Sequence, residues 1–185
     1  TQISRKAVVV SGTQDAVNKA GRNNELAYQI SKSSKELKRD METTLCLNQT
    51  GTAGSTGAAR KLSGLASWIQ ASTSVGTSGA NGQVSSVDTP GTARTDGTQR
   101  AFTEAQLKDV VKKCWDEGGD PSMIMLGSFN KQKLSGFTGG STKMTSAEDK
   151  RLVNAVDIYE SDFGAMTVVP NRFSRSRDCF VIQPD

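Results

Sequence analysis

Apolar positions are spaced regularly in one long stretch near the start of the chain. Residues 24–47 read NELAYQISKSSKELKRDMETTLCL, and the large apolar residues recur at intervals of 4, 7, 4 and 4, at Leu26, Ile30, Leu37, Met41 and Leu45. That spacing predicts one apolar stripe along an amphipathic helix. Asn23 or Asn24 can cap its start, and Glu25 favours the helix dipole. The charged flanks indicate a helix that lies with its stripe against a surface.

A different, denser pattern begins at Ala101 and predicts a compact α+β unit. Thr103 with Gln106 forms a capping box, and Gly118-Gly119 ends the helix that it starts. The pattern that follows predicts a buried strand at 123–126, a short helix capped by Ser128 at 128–137 and a polar loop at 138–150. It then predicts a hairpin around SDFG at 152–169, a basic turn at 171–177 and a last strand at 178–182. We interpret Trp68 and Trp115 as packing anchors.

The remaining stretches are polar. Thr1–Val10 has no clean apolar face, which favours an extended arm or an edge over a buried strand. Ser72–Gln99 contains only three large apolar residues, all valines. Ordering one residue costs roughly 1–2 kcal/mol, and a buried valine returns about 1.5 kcal/mol. We therefore expect this segment to stay loose unless other surfaces hold it.

Composition narrows the function classes. Leu, Ile, Val and Phe make up 36 of 185 residues, so the core is thin for a folded chain. There is no histidine, which removes the commonest general base, and the three cysteines are too far apart for zinc-ligand spacing. No apolar run is long enough to span a membrane, and the first residues do not resemble a signal peptide.

Two short motifs suggest catalysis and fail on context. GTAGSTGAARK, at 51–61, lacks the Gly-Lys-Ser/Thr ending of a phosphate-binding loop. DFG, at 162–164, stands without the other kinase motifs and is typical of a hairpin turn. The carboxylates form no acid/base couple. We predict no enzyme activity, catalytic residue, cofactor or metal.

Basic residues are the remaining candidates for a functional surface. The net charge of +4 is low for a dedicated nucleic-acid binder. Solvated faces, subunit contacts and DNA-facing contacts all stay open for the arm, the helix flank and the basic turn, whose candidate residues are Arg5, Lys6, Lys32, Lys35, Arg39, Arg172, Arg175 and Arg177.

Four segments together resemble the major head (capsid) proteins of tailed bacteriophages. They are TQDAVNKAGRNNELAYQISKSSKELKRDMETTL, GAARKLSGLASWI, DGTQRAFTEAQLKDVVKKCWDEGGDPSMIMLGSFNKQKLSGF and VDIYESDFGAMTVVPNRF. The resemblance implies an α+β, HK97-like capsid fold. It assigns residues 1–21 to the returning part of an extended loop and a connector, 22–100 to a peripheral domain with a spine helix, and 101–185 to an axial domain.

The resemblance further implies a structural subunit that assembles with copies of itself, as hexamers and pentamers, into an icosahedral or prolate head around double-stranded DNA. It also implies that the protein contacts this DNA weakly and non-specifically, is located in the virion and is synthesised in the bacterial cytoplasm. It implies no membrane or small-molecule partner. The family pattern also includes the outgoing part of the extended loop and a C-terminal segment, which we expect to lie outside this chain. We therefore expect this chain to be a monomer or weak oligomer. The alternative is a nucleic-acid-binding module that uses the basic helix and turn.

Overall fold

The computed structural model describes residues 2–17, 20–21, 24–84, 91–137 and 156–184 and shows a mixed α+β fold. Its elements in chain order are α1 Gly12–Ala16, α2 Glu25–Cys46, α3 Leu65–Trp68, α4 Glu104–Asp116, β1 Met123–Leu126, α5 Ser128–Ser135, β2 Ile158–Ser161, β3 Gly164–Pro170 and β4 Cys179–Ile182. The predicted loop 138–150 and the first residues of the predicted hairpin, 152–155, lie outside the described residues.

All four strands belong to one sheet in the order β2-β3-β1-β4. β1 runs parallel to β3, with Ile124 opposite Val168, and antiparallel to β4. β2 and β3 form the predicted hairpin. One face of this sheet packs on α4 and α5, and their shared core consists of Leu107, Val111, Ile124, Leu126, Leu134, Met166 and Val168. The compact unit predicted after Ala101 is therefore confirmed; we call it the sheet unit (101–137 and 156–184).

Helix boundaries follow local capping chemistry. Asn24 caps α2, because its side-chain oxygen accepts a hydrogen bond from the Ala27 amide at 2.8 Å. α4 begins after Thr103, whose amide donates to the Gln106 side chain at 3.4 Å, as the capping box predicts. Two details differ from expectation. α5 has Gly127 as its N-cap, with Ser128 inside the helix, and Ser11 caps a short helix, α1, in the predicted connector.

The polar segment 72–99 is folded where it is described. Residues 72–84 and 91–99 pair through Ala80 with Thr95 and through Gln83 with Thr92, and we call these two stretches the ribbon. Gly82 packs so closely that a Cβ there would lie 2.5 Å from the Ser67 Cα. The sequence argument missed this element because it weighed only apolar burial, whereas backbone pairing and glycine packing hold the ribbon.

Residues 24–84 and 91–99 form the second part of the molecule, the ribbon unit. Its buried residues are small or polar: Glu25, Cys46, Gly51, Ser63, Gly64, Ala66, Ser67, Gly82 and Gly91. Asn171 connects the two units at the end of β3, since its amide nitrogen donates to Glu42 Oε1 at 2.6 Å and lies 3.2 Å from Met125 Sδ. The helix α2 is thereby attached to the sheet at its C-terminal end.

Candidate functional site

The apolar stripe of α2 lies largely open to solvent. Leu26, Ile30, Met41 and Leu45 are each between 41% and 51% exposed, and Leu37, the fifth stripe residue, is half-buried. We call these five residues the α2 stripe. The expectation that the stripe packs against a surface is corrected for the described subunit, in which no element covers it.

A polar face of α2 is covered instead. The extended arm, residues 2–10, runs along the side of the helix that carries Glu25, Gln29 and Ser33. Lys6 of the arm forms an ion pair with Glu36 of the helix. The hydrogen bond and the charge of Lys6 hold the pKa of the Glu36 carboxyl below its usual value. Polar contacts with the arm thus cover a polar face of α2, and the apolar face remains exposed.

The arm is extended and exposed, as predicted. Ile3 is 81% exposed and Val9 is 91% exposed. Five of the candidate basic residues are also exposed, and they lie on this arm and on α2: Arg5, Lys6, Lys32, Lys35 and Arg39. Lys32 and Arg39 stand near enough to Glu36 to lower its pKa further. At about 3.6 residues per turn, Lys32, Lys35 and Arg39 lie on the side of α2 away from the α2 stripe. The role of the basic residues in subunit or DNA contact stays a prediction.

Two of the three arginines of the basic turn form internal ion pairs, although one of these two, Arg177, is also exposed. Arg172 is exposed. Arg175 pairs with Asp96 of the ribbon, and Arg177 Nη1 lies 3.6 Å from the same carboxylate. Because both side chains serve contacts within the subunit, Arg172 is the residue of the predicted turn most available to a partner.

Arg94 and Asp178 complete this group of charges. Arg94, on the ribbon, pairs with Asp178, whose side chain is only 1% exposed. The Asp178 carboxylate also lies 3.5 Å from Arg175 Nε. We call Arg94, Asp96, Arg175, Arg177 and Asp178 the charge cluster. Sequence reasoning missed it, since Arg94 and Asp178 are 84 positions apart and no local spacing marks such a pair.

A cavity of about 420 Å³ lies between the ribbon and the sheet unit. Its walls include Val75, Phe102, Val110 and Phe129, and the charge cluster stands at one side. Two of the three thiols, Cys114 and Cys179, also line it. Burial raises the pKa of Cys179 to about 12 and raises that of Cys114. These two thiols are therefore poor nucleophiles in the arrangement described.

The other candidate chemistry is sparse in the part of the chain that the structure describes. No group of three or more Cys, Asp or Glu side chains there could hold a metal ion, and no helix there is long and apolar enough to cross a membrane. The tryptophans are less buried than expected. Trp68 is 46% exposed, and Trp115 is 49% exposed although its ring contacts Phe163 at 5.5 Å between centroids. Ala66 and Ser67 anchor α3 in place of Trp68.

Comparison with known proteins gives this arrangement a context. The sequence model of the SU10 major capsid protein family matches residues 1–185, which is the whole chain. The chain belongs to the SU10 major capsid protein family. It is also similar to the major capsid protein of Escherichia phage Phieco32, with 27% identity over 205 aligned positions that cover 94% of this chain. The chain spans 58% of the length of that relative.

Family membership confirms the resemblance drawn from the four sequence segments. An exposed apolar surface such as the stripe is typical of a site where another molecule binds, and the arm is exposed as well. The sequence signal for these surfaces was present in the helical spacing of the stripe. What the sequence could not give was that the stripe faces outwards.

Proposed function

We propose that the protein is a structural subunit that assembles with copies of itself into the head of a tailed phage, enclosing double-stranded DNA. It acts in the virion, performs no catalysis and binds no cofactor. The fold is HK97-like, with α2 as the spine helix of a peripheral domain at 22–100, the sheet unit within an axial domain at 101–185, and the arm within the returning part of an extended loop at 1–21.

The observation that carries this proposal is the exposed α2 stripe. A contiguous apolar row on a 22-residue helix costs solubility unless a neighbour covers it. The ribbon unit of the same chain buries no large apolar side chain among its described residues. A subunit whose apolar surface remains open in isolation is suited to completion by identical neighbours, which stabilise the folded state by mass action.

Electron microscopy and sedimentation of the full-length protein test the proposal. We expect closed particles from the unsubstituted full-length protein. Ile30→Gln combined with Met41→Gln should leave soluble subunits whose melting temperature is not lowered. Asp40→Asn, at an exposed position on the same helix but off the stripe, is the matched control and should still assemble. Absence of particles from the unsubstituted full-length protein, or normal particles from the stripe variant, would contradict the proposal.

We propose a second, weaker role in contact with DNA for the exposed cations Arg5, Lys32, Lys35, Arg39 and Arg172. Their exposure beside the arm supports it, and phosphate contacts of this kind are non-specific and salt-dependent. If assembly is the main function, isolated subunits should bind DNA weakly and lose binding steeply as salt rises. Tight, salt-dependent binding by subunits that never assemble would favour the nucleic-acid-binding alternative. Gln at positions 32, 35 and 39 should weaken binding in either case.

A further inference from the structure

The ribbon is attached to its own unit by close backbone contacts. The Gly51 amide donates to the Gly91 carbonyl at 2.8 Å. The Asn48 side chain bonds both backbone groups of Arg94, at 2.8 Å to the amide and 2.5 Å to the carbonyl. Gly82 leaves no room for a Cβ against Ser67. These contacts involve the ribbon backbone directly, so they hold the ribbon closely against residues 48–51 and α3.

The attachment of the ribbon to the sheet unit is of a different kind. It consists mainly of charged side chains: the charge cluster, and Lys113, which donates to the Thr73 carbonyl at 3.2 Å. Arg100, in the chain connection between the two units, donates to the Ser74 carbonyl at 2.8 Å. The ion pairs are reciprocal. The ribbon supplies Arg94 to an aspartate of the sheet unit and supplies Asp96 to its arginines. Between these contacts lies the cavity of about 420 Å³ rather than packed apolar side chains.

We propose that the charge cluster is a releasable connection, and that the ribbon unit swings away from the sheet unit along this boundary while both units stay folded. The Asn171 contact with Glu42 and Cys46 is the pivot, because it joins α2 to the sheet through side chains that are not members of the charge cluster. Separation costs ion pairs and hydrogen bonds that water can replace, and it breaks no packed core. The cavity then opens to solvent. This motion goes beyond the assembly role and does not depend on it.

The three native thiols distinguish this motion from global unfolding. Cys114 and Cys179 line the cavity, whereas Cys46 is 3% exposed and lies at the pivot, where its sulfur is 3.5 Å from the Asn171 amide nitrogen. Opening would lower the raised pKa of Cys179 towards its ordinary value, so more thiolate would be present near neutral pH. Reaction at the two cavity thiols, with Cys46 protected, is the signature of the proposed motion.

The experiment is maleimide labelling of the protein in solution, read at each cysteine by peptide mass spectrometry. Asp96→Asn removes one carboxylate of the cluster at a side chain that is 31% exposed. We expect Cys179 and Cys114 to react roughly tenfold faster or more in this variant, since separation of the units uncovers the two thiols that line the cavity. Cys46 should be unchanged. Glu36→Gln, which removes a comparable ion pair with Lys6 elsewhere, is the control and should change none of the three.

Equal acceleration at all three cysteines would overturn the proposal, because it would mean that the variant unfolds globally. Unchanged reaction at Cys179 would overturn it as well. If Asp96→Asn does not fold, the natural sequence still gives a test. Raising the salt from about 0.05 M to about 0.5 M screens partly exposed ion pairs. Labelling of Cys114 and Cys179 should then increase relative to Cys46, and a constant ratio would refute the proposed motion.

Discussion

The sheet unit and the ribbon unit are built on opposite principles. In the sheet unit, Ile124 and Leu126 are completely buried, and a continuous apolar core joins the sheet to two helices. In the ribbon unit the large apolar residues of the long helix face outwards, and the described buried positions are glycine, serine, alanine, cysteine and glutamate. The first unit contains the apolar surface that stabilises it. The second unit leaves its apolar surface exposed.

The difference shows where the stability of each unit resides. Apolar burial supplies the dominant favourable term in folding, so the sheet unit should be the more stable part of the isolated subunit. The ribbon unit relies on capping, backbone pairing and ion pairs, whose net contributions are small individually. Its remaining stability should come from neighbours in an assembled particle.

Leu126→Ala should have the largest effect on stability. Leu126 is completely buried in the sheet core, and removal of a buried leucine side chain costs about 2–5 kcal/mol. Leu26→Ala on the α2 stripe is the matched control, because that leucine is 41% exposed and surface changes stay within about 0.5 kcal/mol. Urea unfolding of the two variants measures the contrast. Similar losses from both would mean that the stripe is covered within the subunit.

Gly82→Ala should follow, with a cost of about 1–3 kcal/mol typical of overpacking. The added Cβ would lie 2.5 Å from the Ser67 Cα, where backbone meets backbone. Gly57→Ala is the control, because a Cβ added at Gly57 would meet no atom within 4 Å, and this change should be close to neutral for stability. Thermal unfolding that shows no difference between the two variants would refute the close packing of the ribbon.

Asn24→Ala should cost about 1 kcal/mol, the usual loss of an N-cap. The side chain of Asn24 accepts a hydrogen bond from the Ala27 amide. Because this hydrogen bond lies in the first turn of α2, the loss of stability should be localised at the start of the helix. Amide hydrogen exchange measures it: faster exchange in the first turn is expected, and unchanged exchange there would rule out the cap.

The smallest effect concerns pH. Lys6 lowers the pKa of the Glu36 carboxyl in the folded chain. The ion pair therefore stabilises the arm fully at pH values above 4.5, the ordinary pKa of that carboxyl. That stability is lost as the pH falls through the lower, folded pKa. The NMR chemical shift of the Glu36 carboxyl carbon measures this: the carboxyl should titrate at a lower pH in the natural sequence than in Lys6→Gln. Identical titration curves would contradict the ion pair.

Local signals in the sequence predicted most of the sheet unit. The capping box at Thr103, the apolar run at 123–126 and the turn at SDFG each specify their element through neighbouring residues, and each is found where it was predicted. The length of α2 was also predicted to within one residue at each end. Elements whose stability comes from local chemistry are readable without a structure.

The ribbon and the charge cluster were not readable in this way. Both depend on contacts between distant residues: Asn48 with Arg94, and Arg175 with Asp96. A segment rich in serine, threonine and glycine has many possible conformations, and only these remote partners select one. The expectation that residues 72–99 are mobile in the isolated subunit stays a prediction for the protein in solution. The hydrogen-bonded amides of Ala80 and Thr95 in the ribbon argue against such mobility.

The central claim is that the α2 stripe becomes covered when copies of the chain assemble. Oxidation of methionine by hydrogen peroxide tests it directly, since Met41 is 51% exposed on the stripe and Met166 is 1% exposed in the sheet core. We expect Met41 to be oxidised readily in isolated subunits and protected in assembled particles of the full-length protein. Met166 should be protected in both. Equal oxidation of Met41 in subunits and particles would contradict the account.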